Sequence, residues 1–295
     1  YRARILNDYG SIEAVRVWSG TDLDPPEYGR VYIAAKPTSG LRMSAAEKYR
    51  IKRDLIKSRS MVAIEPIIVD PEYLTVLLDC SVTYDPRQTT RTEDEVMNVV
   101  RNAIANYSST TLNKFDEVYR NSLLTRNIDD SEISIKNSET SLTVMRSFSA
   151  RFRSHSNYMI DFSNPLKHPH DGHQSILTSD PFNIPGFTNV ELFDLDGAVF
   201  IRRGIGSNRT GIADFPRANV GTINYGTGVV DLQINITGLP SSVNSIRLYA
   251  RPDRKDLVGA RSIITTIDST NSTVRMINET DVIESQRVQG YAGGY

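Results

Sequence analysis

Residues 80–108 read CSVTYDPRQTTRTEDEVMNVVRNAIANYS. The opening alternates like a strand and ends at Pro86, and a proline, which brings no amide hydrogen to a ladder, suits a strand exit. Thr92-x-x-Glu95 is a capping box: the hydroxyl accepts from an orphan amide of the first turn, and the glutamate reaches back to the cap amide. Beyond it Val96, Val99, Val100, Ala103, Ile104 and Tyr107 recur at helical spacing, with Asn98, Arg101 and Asn102 off the stripe. Such a stripe faces a core. Cys80 lies inside the apolar strand pattern, where a cysteine is usually an inert small hydrophobe.

Working outward, the same local unit occurs earlier. VYIAAKP (31–37) is strand-like and ends at a proline, and SAAEKYRIKRDLIKS follows from Ser44 with the box Ser44-x-x-Glu47. The caps lie 48 residues apart and the prolines 49. We read a duplicated strand–helix module, with too few copies for a solenoid. The first helix is apolar at Ala45, Tyr49, Leu55 and Ile56 and crowded by Lys48, Arg50, Lys52, Arg53, Lys57 and Arg59. A solvated helix face is the plain reading, ahead of a surface for an acidic partner. Ile67–Val69 and Leu74–Leu78 read as strands around Asp70-Pro71. Leu112, Phe115, Tyr119 and Leu123 predict a helix over Leu112–Leu124. Ile133, Ile135 and Leu142–Met145 read as closing strands. The first half is thus α+β, with helices on a small mixed sheet.

From Arg146 the period becomes two. Tyr158, Ile160 and Phe162 alternate, as do Val230, Leu232, Ile234 and Ile236, then Ile246, Leu248 and Ala250. That is the mark of half-buried strands. Gly226-Thr227-Gly228 predicts a tight hairpin. Shorter strands are expected at Ala198–Arg202, Ser262–Ile267 and Thr273–Ile277. The fold expected for this half is an antiparallel β-sandwich or partial barrel. The domains expected are an α+β module over 1–145, a β-rich domain over 146–280 and a frayed tail over 281–295.

The chain has 295 residues, 34 basic and 35 acidic. Tyr1–Met145 holds 19 basic against 21 acidic residues, and Arg146–Tyr295 holds 15 against 14. A duplex binder usually carries a basic excess, so a nucleic-acid partner is not expected. One cysteine rules out an intramolecular disulfide and a multi-cysteine zinc site. No apolar run reaches the ~18 residues of a membrane span. The chain opens on Tyr1, inside what reads as a helix already under way, so a longer parent is expected.

Candidate chemistry is sparse. HPHDGH brings His168, His170, Asp171 and His173 within six residues, and His155 lies nearby. Imidazole and carboxylate ligate zinc, iron or nickel. Pro165, Pro169 and Gly172 favour a polar loop instead, because a usable site needs three or four converging ligands and groups that hold them. Gly204, Gly206 and Gly211 resemble a phosphate-cradling loop, but no helix pattern follows. Asp194-Leu195-Asp196-Gly197 is a fragment of a calcium loop without its later glutamate. No nucleophile elbow or zinc-protease motif occurs, and the sequons at Asn106, Asn208, Asn235, Asn271 and Asn278 arise readily in an Asn/Ser/Thr-rich chain. No catalytic, cofactor-binding or metal residue is assigned.

The order of motifs in the first half says more. A helix runs into DYGS (8–11), then come IEAVRVWSG (12–20), PPEYGRVYIAAKP (25–37), the capped helix and VDPEYLTVLLDCSVTYDP (69–86). This order resembles the baseplate J-like family of contractile phage tails, and looks closest to wedge subunits of T4-like phages that carry such a module in their C-terminal half. The resemblance covers Tyr1–Met145 and rests on Val15, Val17, Trp18, Gly20, Pro26, Gly29, Val31, Tyr32 and Ile33, then Asp70, Pro71, Tyr73 and Tyr84. The second half, with VGTINYGTGVVDL from Val220, looks like a domain that T4-like members carry. The matched positions form turns and strands, so no interface residue is carried over. What the resemblance implies is a structural, non-enzymatic subunit. It would self-associate as a homodimer or ring, contact neighbouring wedge proteins and the tail hub region, and rearrange on contraction. It implies a place in the virion's tail baseplate after assembly in the host cytoplasm, with no cofactor and no nucleic-acid or membrane partner. The competing readings are a β-rich receptor- or glycan-binding module, with a metal at His168, His170 and His173 as an option, and a hydrolase.

Overall fold

The computed structural model describes residues 1–23, 25–59, 64–168, 175–203, 219–240, 245–259 and 262–280. The chain runs α1 (Arg2–Asp8), β1 (Ile12–Ser19), β2 (Arg30–Pro37), α2 (Ala45–Arg59), β3 (Glu65–Val69), β4 (Glu72–Tyr84), α3 (Glu93–Thr110), β5 (Val118–Tyr119), α4 (Asn121–Asp129) and β6 (Ile135–Ser149). Strands follow: β7 (Ser156–Asp161), β8 (Leu177–Ser179), β9 (Phe182–Ile184), β10 (Phe187–Leu195), β11 (Ala198–Arg203), β12 (Asn219–Asn224) and β13 (Val229–Ile234). The last are β14 (Ser245–Ala250), β15 (Leu257–Val258), β16 (Ile263–Ile267) and β17 (Thr273–Asn278). Two compact units result. The first is Tyr1–Leu74, Ser109–Tyr119 and Val258–Thr266; the second takes the described residues of Thr75–Ser108, Arg120–Leu257 and Ile267 onward. This is the expected mixed α+β class, a small three-stranded sheet followed by a large, curled, antiparallel-rich one.

In the first unit β1 pairs antiparallel with β2, Val15 opposite Ala35 and Val17 opposite Ile33. β2 pairs parallel with β3, from Arg30 opposite Glu65 to Ala34 opposite Val69. Parallel neighbours need a crossover, and α2 supplies it. Alternation along β2 sends Ile33 and Ala35 into a core with Ile5, Ile12, Val15, Met43, Ile51 and Leu55. Ala34, on the other face, packs with Phe115 and Ile264. Both capping boxes form: Ser44 N–H donates to Glu47 at 3.0 Å and Glu47 N–H to Ser44 Oγ at 3.2 Å, while Thr92 N–H donates to Glu95 at 2.8 Å. The inward residues of α2 are Ile51 and Leu55, whereas Tyr49 is 69% exposed. At 3.6 residues per turn Tyr49 sits about 200° round the helix from Ile51, so only one of them can face the core.

The helix expected over Leu112–Leu124 does not form as one piece. Asn113 (φ 68°) and Asp116 (φ 70°) take the left-handed conformation, which short polar side chains tolerate and a helix does not. Leu112, Phe115 and Tyr119 are still buried, the first two carried by irregular chain and Tyr119 by the short strand β5. α4 starts only at Asn121 and turns Leu124 and Ile128 inward, leaving Leu123 outside.

In the second unit the two strand pieces expected around Asp79 are one strand. β4 buries Leu74, Val76, Leu78, Cys80, Val82 and Tyr84 in strict alternation and pairs antiparallel with β6, Thr75 opposite Met145. The sheet then runs β4-β6-β14-β8-β10-β11-β12-β13-β7, with β9 beside β10 and β17 parallel to β4. Thus β2–α2 returns to a parallel neighbour, while β4–α3 returns through α4 to an antiparallel one. In α3 the residues Val96, Val100, Ile104 and Tyr107 are buried as their spacing predicts. The Gly226–Gly228 hairpin forms: Gly228 has φ 76°, and its N–H donates to the Asn224 carbonyl at 2.8 Å. Among the described residues no helix is long and apolar enough to cross a membrane.

Candidate assembly surface

The β1–β2 turn of the first unit is fixed by close contacts. A Cβ on Gly20 would stand 2.2 Å from the Glu27 carbonyl oxygen, so the chain passes only with glycine there. Glu27 N–H donates to the Gly20 carbonyl at 2.8 Å. The Glu27 carboxylate accepts from the Tyr32 hydroxyl and from Arg30 at 2.7 Å; these bonds, Tyr32 first, hold its pKa below the usual range. The Tyr32 ring stacks on Trp18, centroids 5.8 Å apart and planes 15° apart. What this scaffold presents is Tyr28, 81% exposed at the apex between Pro26 and Gly29.

From that turn a chain of bonds leads to α2. Glu65 N–H donates to the Gly29 carbonyl at 2.8 Å, and Lys52 donates to the Glu65 carboxylate at 2.9 Å. Lys48, one turn earlier, donates to Asp70 at 2.7 Å. The basic residues Lys48 and Lys52 therefore clamp the two ends of β3, and each such surface pair contributes little to stability. Tyr49 projects outward beside them. Exposed tyrosines on a braced scaffold are the kind of side chain that protein interfaces favour, with large contact area. Nothing in the periodicity marked Tyr28. The available signal was its position, an aromatic inside a Pro-Pro-x-x-Gly turn with no strand face to bury it.

Elsewhere the sequence candidates resolve into structural parts. Asp194–Gly197 is the β10–β11 turn, with Asp196 (φ 49°) and Gly197 (φ 79°) left-handed. Asp194 itself is buried, and its carboxylate accepts from Ser175 Oγ, Leu177 N–H (2.8 Å) and the Tyr225 hydroxyl (2.8 Å). Three donors meet this carboxylate, which serves as a joint between turns. Burial and the Asp194 bond push the Tyr225 pKa up. His168 is exposed and meets the edge of the Tyr225 ring at 4.7 Å, and His155 is exposed. His170, Asp171 and His173 lie outside the described residues, as do Gly204, Gly206 and Gly211. Among the described residues no group of three or more His, Cys, Asp or Glu converges as metal ligands would. Cys80 is buried, and burial first, then Asp129 and Asp79, pushes its thiol up to about 11.

Residues 1–69 match the family model for baseplate structural protein gp6, C-terminal domain I, and residues 72–147 that for its C-terminal domain III. A particular relative is baseplate wedge protein gp6 of Enterobacteria phage T4, 27% identical over 147 residues, 50% of this chain and 22% of the relative. The chain thus spans about a fifth of that protein's length. The seam between the two matches falls at Asp70-Pro71, between β3 and β4. The first half of the chain is thus similar to baseplate structural proteins.

Proposed function

We propose that this chain is a non-enzymatic subunit of a contractile-tail baseplate wedge, within the baseplate J-like group. It self-associates, joins neighbouring wedge proteins near the tail hub, and rearranges when the tail contracts. In this reading residues 1–145 are the assembly module, residues 146–280 a β-rich domain and residues 281–295 its tail. The observation that carries it is the pair of adjacent family matches running from the first helix into β6. The surface favoured for assembly is the exposed Tyr28 turn, because a bonded scaffold holds this aromatic in place before any partner arrives. The test is to mix the full-length parent with the other tail proteins of its phage and follow co-migration by size-exclusion chromatography. A shared peak is expected, weakened about tenfold or more in affinity by Tyr28→Ala, a typical hot-spot effect. Failure of the parent to join any tail protein would sink the proposal. A shared peak untouched by Tyr28→Ala would move the contact to another face.

A further inference from the structure

β7 is an end strand of the second unit's sheet, paired with β13 without a bulge from Ser156 opposite Ile234 to Asp161 opposite Val229. Phe162 N–H donates to the Gly228 carbonyl at 2.9 Å. Ladder bonds of an antiparallel pair alternate residue by residue. The backbone groups of Ser156, Tyr158 and Ile160 therefore face β13, and those of Asn157, Met159 and Asp161 point away from the sheet. Among the described residues these three have no backbone partner on that outer side. Proteins usually blunt such an edge with proline, lysine or a bulge, and SNYMID has none of them. Met159 is 79% exposed. On its face of the sheet β7, β13 and β12 carry two carboxylates, Asp161 and Asp231, and no lysine or arginine.

We propose that the β7 edge receives an extended segment of a partner protein whose alternate residues are basic. The segment would bond to the outward groups of Asn157, Met159 and Asp161 as an added strand, a recognised mode of peptide recognition. Its cations would lie on the face of Asp161 and Asp231, within a Debye length of both. A second copy of this chain fits worse: with Met159 opposite Met159 in an antiparallel self-pair, β7 sets Asn157 and no cation across from Asp161. The inference does not depend on the baseplate reading, because β7 lies outside the matched residues 1–147.

The test uses the whole chain and two blocked heptapeptides, one alternating lysine with valine, the other glutamate with valine. Titration calorimetry should find the lysine peptide bound about tenfold tighter or more, a difference well above measurement error. Amide exchange at Asn157, Met159 and Asp161 should slow only when it is present. Met159→Pro removes an outward N–H and no bond to β13, a position where an edge strand accepts proline, and should cost at least about tenfold in affinity. Should that variant misfold by circular dichroism, the Asp161→Asn, Asp231→Asn double variant decides, by losing affinity and flattening its salt dependence. Equal binding of the two peptides, or affinity unchanged in whichever variant folds, overturns the proposal. So does protection of the three amides in the free chain, which would mean that the edge is already covered.

Discussion

Cys80 and Gly20 show how much one position can carry. The apolar alternation around Cys80 was enough to predict an inert thiol, and its burial in β4 agrees. At pH 8 a disulfide reagent should label it at least about a hundredfold more slowly in the native chain than in urea, because both thiolate fraction and access fall. Equal rates would mean that β4 opens readily. Gly20 was legible only as part of a motif; the reason for it, a backbone oxygen 2.2 Å from where a Cβ would sit, is tertiary and invisible to spacing. Gly20→Ala should destabilise the chain by about 1–3 kcal/mol, the usual range for forced overpacking. A urea midpoint equal to wild type would show that the Glu27 segment can step aside. Tyr28 and Asp194 were illegible for related reasons. A turn apex has no period, and a buried aspartate among Val190 and Leu192 disguises the inward face of β10 as polar.

At the scale of elements, what local chemistry encodes was readable and what pairing decides was not. Both capping boxes, the α3 stripe and the Gly226–Gly228 hairpin depend on groups within a few residues, and all formed. Ser44→Ala and Thr92→Ala should each cost about 1 kcal/mol, as lost caps do. Thermal melts of the two variants would check this, and a double variant costing the sum would confirm that the caps act independently. The two strand–helix units looked alike because the local signals repeat, yet one returns parallel and the other antiparallel, a choice made by partners far away in sequence. The split of Leu112–Leu124 has the same origin. An apolar stripe at helical spacing also arises where irregular chain and then the short β5 bury Leu112, Phe115 and Tyr119 one at a time.

Over the whole molecule several acids are held neutral. Burial raises Tyr73 and Tyr249 to about 12 and Cys80 to about 11, and raises Tyr225 as well. Each is uncharged when protonated and has a folded pKa above its unfolded one, near 10 for tyrosine. Their contribution is therefore fully present below the unfolded pKa and lost as pH rises through the folded values. The urea midpoint should fall between about pH 9 and pH 12, and Tyr225→Phe should shallow that fall. A flat midpoint over this window would show that these side chains stay wet. The near balance of 34 basic and 35 acidic residues first served only to set aside nucleic acid. The structure adds that the second unit's β7 edge has a locally unbalanced, acidic face.

The strand β17 lies parallel to β4 with Thr273 opposite Asp79, 194 residues apart in the chain, as are Leu78 and Ser272, whose backbone and side chain are bonded. A ribosome adding about 5–20 residues per second reaches β17 roughly 10–40 s after it finishes β4. Through that interval one flank of β4 waits without this partner, however soon β6 covers the other. The second unit's sheet cannot be completed before β17 has been made, so its maturation is timed by this strand rather than by β4.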